Sequence, residues 1–163
     1  MSRLVATFLY VGLMRPGPGT WGSLAALPVF WAIHAAGGVW LCVLAITAVY
    51  AGGTWAVAAE HRRTGAEDPG EIVVDEVVGQ WIALLPLAFG ATRTGAEITA
   101  LWPGWIAAFA LFRLFDIWKP GPVGWADRRH DAAGVMLDDV VAGLLAAICV
   151  VVLAGIAHGV LMA

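Results

Sequence analysis

The sequence predicts an all-α fold, a polytopic membrane helical bundle built as a single domain over residues 1–163. The chain is 61% hydrophobic and only 13% charged, with a mean hydropathy of +0.83. A water-soluble domain of this length needs a more polar surface. The apolar residues gather in five stretches without an alternating polar face. Helices are expected there, because a helix satisfies its own backbone hydrogen bonds in lipid.

The first element is short. Residues 1–14 contain one arginine and a brief apolar run, and no small-residue cleavage pattern follows them. Instead the chain continues with Arg15-Pro16-Gly17-Pro18. We therefore expect an N-terminal interfacial or short buried helix and not a signal peptide.

About five apolar helices follow. The stretches are residues 24–36, 39–59, 77–91, 98–112 and 140–161. The second and fifth reach the roughly 20 residues needed to cross the hydrocarbon core. The other three are shorter and must include flanking residues or pack inside protein. Gly37-Gly38 and the segment 92–95 are expected to form tight hairpins.

Three polar segments separate these hairpins and should share one side of the membrane. They span residues 15–23, 60–76 and 113–139 and contain seven of the nine basic residues, whereas the opposite side keeps only Arg93. Short loops rich in Lys and Arg remain in the cytoplasm, so these segments are expected to face it. Nearly all carboxylates lie in or beside them, Glu97 excepted.

Two acidic pairs occupy matching positions. Asp75-Glu76 and Asp138-Asp139 each follow apolar residues and precede two valines, with a glycine shortly after. Four carboxylates at one interface repel one another unless a cation lies between them. Oxygen ligands favour Mg²⁺, Ca²⁺ or Mn²⁺. The simpler interpretation is that acidic residues stabilise helix N-termini, but the repetition favours a metal site.

A third motif places charges at three-residue spacing. Arg113, Asp116 and Lys119 should lie near one helical face. The cations could clamp phosphate oxygens and the aspartate could add a metal ligand. Alternatively, the basic residues could reach toward lipid headgroups or pair with Asp116.

The segment PGPGTWGS at residues 16–23 leads into the first apolar stretch. Thr20 or Ser23 could cap that helix, and free backbone N–H groups there could bind phosphate. An ordinary turn with a cap explains the segment equally well. The Walker signature is absent from the sequence.

Other classes of function find little support. The net charge of −3 and the lack of a basic run argue against nucleic acid. Cys42 and Cys149 stand alone in apolar stretches and suggest buried thiols. Acid–base chemistry by His130 is conceivable, although a single loop histidine is more often solvated.

Four blocks together resemble the phosphatidylglycerophosphatase A family. They are GTWGSLAALP at 19–28, DPGEIVVDEVVG at 68–79, FRLFDIWKPGPV at 112–123 and GVMLDDVVAG at 134–143. They occur in family order. The family often has a glycine-rich stretch after a histidine near the last block, whereas Asp131-Ala132-Ala133 follow His130 in this chain.

The resemblance implies a Mg²⁺-dependent lipid phosphatase of the bacterial inner membrane that converts phosphatidylglycerophosphate to phosphatidylglycerol. By motif match, the catalytic positions are Asp75, Glu76, Asp116, Asp138 and Asp139. Of these, we expect Glu76, Asp116, Asp138 and Asp139 to bind Mg²⁺. The expected substrate-binding residues are Gly19, Thr20, Gly22, Ser23, Arg113 and Lys119.

The expected partners are the phospholipid substrate and the membrane, with a homo-oligomer as an open possibility. Hydrolysis by an attacking water and a covalent aspartyl intermediate both remain open. The rival interpretation is a small divalent-cation transporter or scaffold. A transporter should place ionisable groups near the bilayer midplane, whereas here they gather at one edge.

Overall fold

The structure is a computed structural model that describes residues 1–65, 70–129 and 131–161. Over these residues it contains helices and turns without any strand, which confirms the all-α prediction. The helices are α1 Ser2–Ala6, α2 Pro18–Thr64, α3 Val74–Thr94, α4 Trp102–Trp118, α5 Pro122–Asp127 and α6 Ala132–Leu161. Two 3₁₀ turns, Val11–Leu13 and Ile98–Leu101, precede α2 and α4.

Four helices in the described ranges are long and apolar enough to cross a membrane, against the five that were expected. The difference lies in α2, whose 47 residues combine the first two apolar stretches. A straight helix of that length would extend about 70 Å, more than twice the roughly 30 Å hydrocarbon core. Gly37 and Gly38 are not helical, and Gly38 has a φ of 67°, a conformation that favours glycine.

Both ends of α2 return to the start of α3, so the chain reverses at these glycines. A Cβ on Gly22 would lie 2.8 Å from Val73 Cβ, and one on Gly53 would lie 3.2 Å from Val74 Cγ2. α2 is therefore a hairpin with arms at residues 18–36 and 39–64, as the Gly37-Gly38 pair predicted.

The centre of the bundle is α3. Within its most apolar window 67% of residues are buried, against 17–22% for the other three long helices. Trp81 shows why: its indole N–H donates to the Ala26 carbonyl at 2.9 Å, and its ring packs in one core cluster with Phe30 and Phe112. The remaining helices expose large apolar side chains, including Trp31, Leu44 and Ile148. Lipid is the natural solvent for such a surface, so this is a membrane protein.

Glycines set how closely α3 approaches α4 and α6. A Cβ on Gly143 would lie 3.0 Å from the Gly79 Cα, and one on Gly79 would lie 2.6 Å from the Asp139 carbonyl oxygen and 2.8 Å from Phe112 Cζ. Small residues at a crossing let helix backbones meet directly. This contact brings the first turn of α3, which carries Asp75 and Glu76, beside the second turn of α6, which carries Asp138 and Asp139.

The N-terminal residues cover the same end of the bundle. The Val73 N–H donates to the Ala6 carbonyl at 2.9 Å, and the Ser2 hydroxyl donates to the buried Glu60 carboxylate at 2.7 Å. Ala6 is itself buried. The short helix expected at the N-terminus is present and docks beside the start of α3.

Candidate active site

The three polar segments meet in a pocket of about 300 Å³ at this end of the bundle. Its described lining includes six carboxylates and two basic side chains. The carboxylates are Asp75, Glu76, Asp116, Asp127, Asp138 and Asp139, and the cations are Lys119 and Arg129. All five predicted catalytic aspartates and glutamates therefore line one cavity, and its charge is strongly negative.

Three of these carboxylates form a tight cluster. Oxygen atoms of Asp75, Glu76 and Asp139 all lie within 4.8 Å of one another. Asp75 and Glu76 occupy the first turn of α3, and Asp139 faces them from α6. Asp75 was expected to be catalytic but not to bind metal, whereas the geometry groups it with the ligand candidates Glu76 and Asp139.

Several carboxylate oxygens in the pocket are buried without a hydrogen-bond partner among the described residues. They are Glu76 Oε2, Asp138 Oδ1 and Asp139 Oδ1. A buried, unpaired carboxylate is costly unless a cation accompanies it. An all-oxygen donor set suits a hard divalent ion such as Mg²⁺, so the residues present fit the metal that the sequence predicted.

Arg113 is paired with protein groups through one of its nitrogens, while its Nε is buried without a partner among the described residues. One guanidinium nitrogen, Nη1, lies 2.5 Å from Asp116 Oδ2 and 3.5 Å from the Ser23 hydroxyl. The Arg113 and Asp116 side chains are only 15% and 14% exposed. Arg113 also falls outside the described lining of the pocket. The geometry therefore matches the ion-pair interpretation of this motif more closely than a phosphate clamp.

Lys119 connects three helices. At the end of α4, its ammonium lies 2.5 Å from Asp127 Oδ1 on α5 and 2.6 Å from Asp138 Oδ2 on α6. Burial disfavours the charged ammonium, but the hydrogen bonds to Asp127 and Asp138 outweigh burial and raise the pKa of Lys119 above its ordinary value. Lys119 thus remains charged and fixes Asp138 against the wall of the pocket.

The backbone of the glycine-rich segment lies close to the site. The expected side-chain cap was wrong: the N-cap of α2 is Gly17, with no side-chain cap bond. The Ser23 hydroxyl instead donates to the Gly19 carbonyl at 2.8 Å. Gly19 lines the pocket, and a Cβ there would overlap the Glu76 carboxylate.

The other predicted substrate-binding residues of this segment are placed differently. Gly22 packs on Val73, and Thr20 lies outside the set of described residues that line the pocket. Ser23 reaches the site only through Arg113.

Asp127 and Arg129 line the pocket, but sequence reasoning did not select them. They are not on the same helix as either acidic pair, so sequence spacing does not relate them to those pairs. They line the pocket because of where α5 and the turn after it place the chain. Their position in the third polar segment was the available signal. His130 and the first two residues of the second motif block, at 68–69, lie outside the described residues.

The fold and the pocket define a polytopic helical membrane protein with a carboxylate-lined site at one end of its bundle. Comparison with protein families then gives the particular group: the profile described as phosphatidylglycerophosphatase A matches residues 4–154. The chain belongs to the phosphatidylglycerophosphatase A family, and it is a phosphatase of the kind that acts on a phosphate monoester.

Curated relatives agree with this assignment. A phosphatidylglycerophosphatase A of Escherichia coli (strain K12) is 38% identical over 146 residues, which cover 88% of this chain and 78% of the relative. One from Haemophilus influenzae is 36% identical, with 90% and 85% coverage. A protein of Bacteroides thetaiotaomicron, provisionally named a phosphatidylinositol-3-phosphatase, is 34% identical with 91% coverage of each chain. No solved structure matches the chain.

Proposed function

We propose that this protein removes the terminal phosphate of phosphatidylglycerophosphate to give phosphatidylglycerol, with Mg²⁺ bound by carboxylates, at the cytoplasmic face of the bacterial inner membrane. The observation that supports this most directly is the cluster of Asp75, Glu76 and Asp139, whose neighbouring buried oxygens are unpartnered within the described chain. The substrate assignment rests on the names of the two phosphatidylglycerophosphatase A relatives.

Asp75, Glu76 and Asp139 are the residues that would hold the ion, with Asp116 and Asp138 on the same wall. Bound Mg²⁺ would polarise the phosphoryl group and neutralise charge that develops during the displacement. Without a cation, six carboxylates against two basic side chains would repel a phosphate. We therefore expect phosphate binding to depend on the metal.

Asp138 is suited to accept the proton of the attacking water. Lys119 holds its Oδ2, while Oδ1 is buried and has no partner in the described ranges. A carboxylate that lines the pocket, is fixed in position and keeps one oxygen without a partner can act as a general base. The Arg113–Asp116 ion pair meanwhile holds Asp116 in place at the pocket wall.

The proposed orientation rests on the distribution of basic residues. Seven of the nine basic residues occur in the three polar segments, and Arg3 joins them through its ion pair with Glu71. Arg93 lies at the opposite end, where α3 finishes. Positively charged loops are retained in the cytoplasm, and phosphatidylglycerophosphate would then be bound from the inner leaflet.

The position of the site separates the enzyme from the transporter interpretation. Transporter sites lie near the bilayer midplane, where interrupted helices meet. Here the carboxylates lie near helix ends, in the first turn of α3, the second turn of α6 and the last turn of α4, all at one end of the bundle. The headgroup of the substrate can therefore reach the site while the acyl chains stay in lipid.

The test is phosphate release from phosphatidylglycerophosphate by the purified protein in detergent. We expect activity to vanish with chelator and to return with Mg²⁺, and to return poorly with Ca²⁺, which prefers more ligands and looser geometry. Asp139→Asn and Glu76→Gln should each lower kcat by about 100-fold or more. Glu97→Gln is the matched control, because Glu97 is an exposed carboxylate at the opposite end of the bundle and outside the cluster.

Near-normal rates in both Asp139→Asn and Glu76→Gln would show that the proposed site is wrong. The same assay on phosphatidylinositol 3-phosphate tests the reaction named for the Bacteroides relative. Faster turnover of that lipid than of phosphatidylglycerophosphate would overturn the substrate assignment but leave the site intact.

A further inference from the structure

The described lining of the pocket contains two basic side chains, Lys119 and Arg129, and they differ in how many of their N–H donors are already bonded. Lys119 is held between Asp127 and Asp138 at 2.5 and 2.6 Å. Of the three protons on an ammonium, two are thus directed at protein carboxylates. Lys119 therefore links α4, α5 and α6 and has few donors left for a phosphate.

Arg129 has most of its donors free. Its one ion pair with a described residue, Asp131, is long at 3.4 Å and involves a single nitrogen, Nη2. The side chain is 47% exposed, yet it lines the same pocket as the buried carboxylates. A guanidinium offers five N–H donors in a fork that matches phosphate oxygens, so Arg129 can receive a phosphate without losing a strong internal partner.

The backbone of Arg129 is fixed although its side chain is half exposed. Its N–H donates to the Ala126 carbonyl at 3.0 Å. The first turn of α6 packs against it so closely that a Cβ on Gly134 would lie 2.5 Å from Arg129 Cβ. Asp131 in turn accepts from the Gly134 N–H at 2.8 Å. The backbone of Arg129 is therefore held in a defined position at the rim of the pocket, from which the guanidinium extends.

The proposed substrate carries two phosphates with different chemistry. The terminal monoester is the group that is cleaved, and the inner phosphodiester links glycerol to the diacylglycerol. Because the acyl chains stay in the bilayer, the diester must remain at headgroup level while the monoester reaches the carboxylate cluster. Arg129 lies in the turn between α5 and α6, outside the apolar spans, and its half-exposed side chain is at the rim of the pocket that holds the buried carboxylates. A substrate whose monoester is at the carboxylates would place its next group, the diester, at this rim.

We infer that Arg129 is a specificity-determining residue that binds the inner phosphodiester and so selects lipids with a phosphodiester between the acyl chains and the scissile phosphate. This inference rests on the proposed function. Arg129 contacts the part of the substrate that remains in the product and does not take part in the chemical step. Its contribution is therefore to binding, with similar strength in the ground state and the transition state.

The experiment compares lipids that carry one or the other phosphate. Phosphatidylglycerol has the diester and lacks the monoester, whereas phosphatidic acid has a monoester and lacks the diester. For Arg129→Ala we expect the KM for phosphatidylglycerophosphate and the Ki of phosphatidylglycerol to rise together by about tenfold, the scale of a hydrogen bond to a charged group. The kcat and the Ki of phosphatidic acid should stay within about twofold.

Two matched variants complete the design. Arg128→Ala removes an exposed neighbouring cation that is not among the described lining residues, and it should change none of these constants. Arg129→Lys keeps the charge but loses the fork, so it should recover only part of the affinity.

An equal rise in both Ki values would show general attraction of anions, and it would overturn the inference, as would a fall in kcat at constant KM. Unchanged constants in Arg129→Ala would overturn it as well. A wild-type protein that releases no phosphate from phosphatidylglycerophosphate would instead contradict the proposed function, so the two failures are distinguishable.

Discussion

Gly19 sets how closely the start of α2 can approach the Glu76 carboxylate. A Cβ at this position would overlap Glu76 Oε1 and lie 3.2 Å from Arg113 Nη1. We therefore expect Gly19→Ala to displace the Glu76 side chain from the cluster. Small displacements of catalytic groups are costly, and activity should fall by about tenfold or more in the phosphate-release assay.

Gly90→Ala is the control for this change. It lies inside α3, where the nearest atom to an added Cβ is 4.0 Å away, so alanine there meets no steric obstacle. Should Gly19→Ala retain full activity and the normal Mg²⁺ requirement, the close approach of α2 would have no role in the site.

Gln80 is fully buried, and neither polar atom of its amide has a hydrogen-bond partner among the described residues. It lies one helical turn after Glu76. An unmade hydrogen bond of a buried amide costs about 1–3 kcal/mol. We expect Gln80→Met, which keeps the length and removes the amide, to raise the thermal unfolding midpoint in detergent.

Gln80→Glu should have the opposite effect, because it adds a buried carboxylate near the acidic cluster. A lower midpoint for Gln80→Met would show that an ordered water or another ligand satisfies the amide in the folded protein, contrary to this expectation.

At the scale of elements, the crossing of α3 and α6 at Gly79 and Gly143 determines whether the two acidic pairs can meet. The Gly143 Cα lies directly against the α3 backbone, so a side chain there must push the helices apart. We expect Gly143→Val to lower the free energy of unfolding by about 1–3 kcal/mol, the usual cost of overpacking. The loss of activity should exceed what partial unfolding explains, because Asp139 moves away from Asp75 and Glu76.

Gly155→Val serves as the control on the same helix, since Gly155 is exposed and has nothing within 4 Å of an added Cβ. Thermal unfolding and phosphate release are measured on both variants. Equal stability of the two variants would mean that α3 and α6 do not need this contact.

At the scale of the whole molecule, the structure places the three polar segments at one end, and the remaining question is which side of the membrane that end faces. Single cysteines can be introduced at the exposed positions Met14, Gly70 and Trp125, and at Ala96 at the opposite end. Cys42 and Cys149 are first replaced by alanine. All cations stay intact, so the charges that direct orientation are unchanged.

An impermeant thiol reagent applied to intact cells should label only the Ala96→Cys protein. After the cells are opened, the other three cysteines should react as well, which verifies that they are accessible. Labelling of Met14→Cys, Gly70→Cys or Trp125→Cys in intact cells would place the pocket outside the cytoplasm.

The sequence by itself determined the fold class, the hairpin at Gly37-Gly38 and the end of the bundle at which the site lies. These features depend on local properties: the length of an apolar stretch, the conformational freedom of glycine, and the charge of the loops. The five acidic residues that the sequence singled out all line the pocket, and charges at the edge of an apolar helix need a specific reason to be there. Their catalytic and metal-binding roles stay predictions.

Only the tertiary structure decided how the charged groups are paired. It grouped Asp75 and Glu76 with Asp139, and it placed Lys119 between Asp127 and Asp138. Pairings of this kind join different helices, and they depend on how closely those helices cross and on where α5 turns the chain. Sequence spacing describes neighbours on one helix, whereas distances between helices follow from packing of the whole bundle.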